Sequence, residues 1–98
     1  MIQSFDRNTM YCYTLSTSAD PKVFLRVCST LEQNGFTKID KLLEDVDGSL
    51  IQEYFFDNMK IRVECDVEIG AVYVDSQINL MKYLNGILNN GDDIEILR

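Results

Sequence analysis

The sequence predicts a single α+β domain over residues 1–98, an antiparallel-rich sheet with two helices in the order β-α-β-β-β-β-α-β. Three observations carry that expectation. Ile61, Val63, Cys65, Val67 and Ile69 alternate with Lys60, Arg62, Glu64, Asp66 and Glu68, the period of a half-buried antiparallel strand with one wet face. Two other stretches repeat apolar residues at three and four, and each ends at Asn-Gly. Asp47-Gly48 and Asp57-Asn58 then separate the central strands closely enough for hairpins. The helices pack most simply on one sheet face, which leaves the other solvated.

The elements follow in order. Met10 to Ser16 places Tyr11, Tyr13 and Leu15 on one side at period two, so it reads as a strand, with Tyr11 and Tyr13 packed under the first helix. Asp20 caps that helix, whose first position is Pro21, where the missing N–H costs nothing. Val23, Phe24, Val27, Cys28 and Leu31 form its apolar stripe, and Asn34-Gly35 ends it with Phe36 folding back. Residues 37–46 have no clean period, and a strand is favoured because Asp47-Gly48 suits a type I′ turn. Leu50 to Phe56 returns antiparallel, the faultless alternation runs from Lys60 to Ile69, and Gly70 turns the chain into a short strand from Ala71 to Val74. Ser76 is read as the cap of the second helix, with Leu80, Met81, Leu84, Ile87 and Leu88 buried and Gly86 a weak point. Asn90-Gly91 ends that helix, and Ile94 to Leu97 closes the sheet.

Composition narrows the functional classes. No run of about 18 apolar residues is present, so no helix crosses a membrane. The first residues lack the basic start and apolar stretch of a signal peptide. Cys12, Cys28 and Cys65 are odd in number, far apart and set in apolar patterns, as buried free thiols are; a cytoplasmic location is the expectation. The net charge of −7 is uneven: residues 1–39 hold four basic residues against three acids, residues 40–98 five against thirteen. A chain of that sign is repelled by phosphate backbones and anionic membranes, which favours a basic protein partner over nucleic acid.

Chemistry-bearing motifs are excluded one by one. With no histidine, Ser-His-Asp and Cys-His arrangements and His-liganded zinc are impossible within the chain. The cysteines form no CxxC pair, and neither GxxxxGK[ST] nor GxGxxG occurs. Asp45-Val46-Asp47-Gly48 resembles part of a calcium loop, but aligning Gly48 with the loop glycine puts Leu43 and Tyr54 where oxygen ligands belong. No cofactor, no metal and no catalytic residue is therefore expected. Glu64, Asp66 and Glu68 share a strand face beside Lys60 and Arg62, with no sign of a pocket to raise a carboxyl pKa.

Binding is the expected role. Tyr73 lies between Val72 and Val74, so it faces the open side if they are buried, and an exposed Tyr among carboxylates suits a contact. The expected partner-binding residues are Glu53, Glu64, Asp66, Glu68, Tyr73, Asp75, Asp92 and Asp93. In size and composition, though in no motif, the chain is similar to immunity proteins, which neutralise a cognate toxin, often a basic nuclease, by covering its active site. The corresponding expectation is a non-enzymatic inhibitor of a basic toxin, monomeric or dimeric. The alternatives are a secretion-type chaperone or adaptor and a phage-type inhibitor that mimics nucleic acid.

Overall fold

A computed structural model describes residues 11–88 and 94–95. The strands are β1 (Tyr11–Ser16), β2 (Thr37–Lys38), β3 (Leu43–Glu44), β4 (Leu50–Phe56), β5 (Met59–Asp66), β6 (Ala71–Ser76) and β7 (Ile94–Glu95). The helices are α1 (Pro21–Gln33) and α2 (Met81–Leu88). β2 and β3 both pair with β4, at the two ends of the single stretch read as one strand, so the predicted order of elements holds. The sheet runs β2-β4-β5-β6-β1-β7, with β3 beside β2 on the same edge, and every pairing is antiparallel.

That order explains why the helices share a face. Counting reversals across the sheet, β1 is parallel to β2 and β6 is parallel to β7. Each helix is thus the crossover between two parallel strands, and the two crossovers run in opposite directions from oppositely oriented strands. A common right-handed crossover places both on the same side. Phe24, Val27 and Leu31 of α1 and Leu84 and Ile87 of α2 accordingly enter one core with Tyr13, Tyr54, Ile61, Val63, Val72 and Val74.

Local chemistry sets the boundaries. Asp20 Oδ1 accepts the Lys22 N–H at 2.9 Å and caps α1. At the other end Phe36 N–H bonds the Leu31 carbonyl and Gly35 N–H the Glu32 carbonyl, with Gly35 at φ 91°, a complete Schellman motif. Phe36 is folded back as expected, stacked on Phe56 at 4.3 Å and edge-on to Tyr83.

Four local expectations are corrected. The type I′ turn is Asp57-Asn58, where both φ values are positive (53° and 66°), whereas at Asp45–Gly48 only Gly48 is positive, giving a turn closed by the Gly48 N–H on the Asp45 carbonyl with a left-handed glycine. β5 stops at Asp66, because Asp66 Oδ1 takes the Ile69 N–H and its carbonyl takes the Gly70 N–H, closing a turn that leaves Val67 and Ile69 exposed. Ser76 does not cap α2: it is fully buried at the end of β6, bonded to both backbone groups of Ile78. Asn79 Oδ1 accepts the Met81 N–H instead, and Met81 is exposed. The Tyr13 ring enters the core it shares with α1, as expected, and its phenol also reaches the start of the second helix, receiving the Leu80 N–H at 2.8 Å. The Leu88 side chain, Asn90-Gly91 and the end of the closing strand lie outside the described residues.

Candidate partner-binding surface

Strand alternation sends Val72 and Val74 into the core, fully buried, and so turns Tyr73 to the helix-free face, as the sequence implied. The register then assembles the neighbours. Glu53, Arg62, Asp75 and Cys12 lie across the sheet in one row, and Ile51, Glu64, Tyr73 and Thr14 in the next. Five of the expected contact residues, Glu53, Glu64, Asp66, Tyr73 and Asp75, therefore share this face. Glu68 does not, since it sits in the turn after β5. Asp92 and Asp93 lie outside the described residues.

The centre of this face is partnered internally. Arg62 Nε donates to Glu53 Oε2 at 3.1 Å, and the Arg62 side chain is laid flat, 10% exposed. Tyr73 donates its phenol hydrogen to the Glu64 carboxylate. Burial holds the Glu64 carboxyl above the ordinary range, with Asp66 and Asp75 adding to the shift and the Tyr73 bond and Arg62 opposing it. The sequence alone implies a solvated row with no raised carboxyl, and Glu64 departs from it through its burial. Tyr73 in turn is raised well above a free phenol, first by burial and then by Glu64. Arg62, absent from the expected set, organises the face.

A second acidic surface lies at one end of the sheet. The turn after β1 holds Asp20, the turn before β4 holds Asp45 and Asp47, and the last residue of β5 and the turn after it supply Asp66 and Glu68; no Lys or Arg occurs in residues 16–20, 44–49 or 66–71. The pairings Leu50↔Cys65, Asp66↔Ala71 and Ser16↔Val72 put these three loops at the same end. Two of them are joined directly, Ser49 Oγ accepting the Val67 N–H at 2.9 Å. Each Asp also closes its own turn: Asp45 on the Val46 N–H, Asp47 on the Ser49 N–H and Asp66 on the Ile69 N–H. The bonds from Ser49 hold the Asp47 carboxyl below its usual value. The register gathers these aspartates at one end of the sheet, across separations that no local pattern encodes.

The two buried thiols are held in the protonated form by position. The Cys28 thiol is pushed up to about 11, chiefly by burial, and Cys65 is raised for the same reason. Among the described residues no three His, Cys, Asp or Glu side chains are placed to hold a metal ion. Among the described residues, a depression beside α2 is lined by Asn79, Met81, Lys82 and Asn85. Among the described residues no helix is long and apolar enough to cross a membrane. No known protein family, curated protein or solved structure matches this chain.

Proposed function

We propose that this protein is a small acidic inhibitor of a basic protein partner, of the immunity-protein kind, acting by occlusion rather than by chemistry. One observation carries the reading: the fold collects Asp20, Asp45, Asp47, Asp66 and Glu68 on and beside three loops that contain no basic residue. Such a one-signed surface raises the encounter rate with a basic partner. The pre-bonded Arg62–Glu53 and Tyr73–Glu64 pairs on the adjoining face add rigid side chains, which lose little freedom when a partner docks. Cys28 and Cys65, buried as free thiols, support residence in the cytoplasm, where the partner's activity would do harm.

The test is neutralisation. The chain is co-expressed with the product of the neighbouring reading frame, and growth and complex formation are measured. A 1:1 complex that restores growth, with an association rate falling at least about ten-fold between low and high salt, is the expected result. An association rate indifferent to salt removes the electrostatic mechanism. Absence of any complex or rescue overturns the reading, and an obligate dimer in light scattering turns it toward a chaperone.

A further inference from the structure

The same end of the sheet that carries the acids also exposes apolar side chains that no feature of the fold requires. Val46 is fully exposed and Ile69 is 67% exposed, the two highest values among the exposed large apolar residues described, and Val67 is 45% exposed. Val46 occupies the first central position of the Asp45–Gly48 turn, where almost any residue serves and a polar one is usual. Val67 and Ile69 lie in the β5–β6 turn, past the last sheet pairing. The two loops touch: a methyl placed on Gly48 would meet Val67 Cγ2 at 3.9 Å, and Ser49 bonds the Val67 backbone. Scattered single exposed apolar residues mean little, but three on two joined loops make a patch. Asp45, Asp47, Asp66 and Glu68 are interleaved with them along the chain.

We propose that Val46, Val67 and Ile69 are the apolar centre of a docking surface, rimmed by these four carboxylates, whose occupant is a basic protein surface with an apolar centre of its own. An apolar centre inside a charged rim is the usual anatomy of a protein interface. Charge selects the occupant. A second copy of this chain would bring two carboxylate rims together between molecules of net charge −7, and an anionic membrane is repelled for the same reason. The proposal rests on the acidic-inhibitor reading for the sign of its partner, but it adds where contact occurs and that salt alone does not abolish it.

The experiment needs no knowledge of the natural partner. The 15N-labelled chain is titrated with a synthetic peptide of alternating lysine and leucine, and amide shifts are followed by NMR at low and high salt. Expected are shifts concentrated in residues 45–49 and 66–70, and affinity about ten-fold weaker in the triple variant V46S/V67S/I69S, whose exposed positions leave the fold intact by circular dichroism. The variant D57N, in the β4–β5 turn at the opposite end of the sheet, is expected to change affinity less than about two-fold. Shifts centred on the Arg62–Tyr73 rows, or equal binding by the triple variant, overturn the proposal. So does a wild-type dimer in sedimentation that the triple variant abolishes, since the occupant is then a second copy. A peptide that binds as expected while no toxin is neutralised leaves this surface standing and removes the inhibitory role.

Discussion

The Tyr54 phenol donates a 2.7 Å hydrogen bond to the Glu32 carboxylate, tying the middle of β4 to the last turn of α1. The ring is fully buried, yet its hydroxyl ends beside a carboxylate that water still reaches, with the Glu32 side chain 39% exposed. Burial first, then the neighbouring Cys28 thiol and this acceptor, hold the phenol proton far above its ordinary range. Y54F keeps the ring and lets Glu32 rehydrate, so the expected loss is about 1 kcal/mol in urea unfolding. Y54A empties the core and is expected to lose about 3–5 kcal/mol.

Tyr13 does a harder job at the start of α2. Its hydroxyl accepts the Leu80 N–H at 2.8 Å and donates to Asn79 Oδ1 at 3.2 Å. Leu80 is fully buried, so Y13F strands a buried backbone donor. The expected cost is about 1–3 kcal/mol, larger than for Y54F. Hydrogen exchange checks the cause: the Leu80 amide should lose more protection than amides of β5.

Two glycines should answer an alanine substitution with opposite signs. Gly48 sits at φ 91° with Val67 no nearer than 3.9 Å, so G48A meets backbone strain rather than a clash and is expected to cost about 1–2 kcal/mol. Gly86 lies in the exposed part of α2 with open space around it, so G86A is expected to add about 1 kcal/mol. Thermal melts of the two variants test both signs together.

Glu64 sets a pH dependence. Its folded pKa is raised, so the native state holds this proton to higher pH than the unfolded chain does. The contribution to stability is fully present below the unfolded value of about 4.3 and is lost as pH rises through the native one. E64Q mimics the protonated form. Compared by calorimetry, it should be near neutral at about pH 3 and stabilising near pH 7, by roughly 0.5 kcal/mol because the site is half open to water. An equal effect at both pH values would separate the substitution from the ionisation.

Much of this fold was legible because its signals are local. Asp20-Pro21 and Asn34-Gly35 frame α1 through bonds spanning only a few residues. Tyr73 was placed on the open face by its two valine neighbours, a consequence of pleat geometry alone. The errors fell where an equally local pattern had two readings. Ser76 and Asn79 both suit a helix cap, and the choice went to Asn79 once Ile78 had claimed both hydrogen-bonding roles of the Ser76 hydroxyl. Alternation through Val67 and Ile69 continued past the last pairing of β5, because period two records which way a side chain points, not whether a neighbouring strand is there to receive it.

Fold class, the order of elements, the first helix cap and the two-faced strand at residues 60–66 all follow from local patterns along the chain. Composition alone makes the chain acidic and rules out histidine chemistry. Which acids meet depends on how the strands pair. Strand order β2-β4-β5-β6-β1-β7 brings Asp20, Asp45 and Asp66 to one end and Glu53, Arg62 and Asp75 into one row, across separations that no local pattern encodes. Register is fixed by the shared core and by hairpin geometry acting on the whole sheet at once. The buried Arg62 and the raised Glu64 carboxyl therefore exist only once the strands are paired.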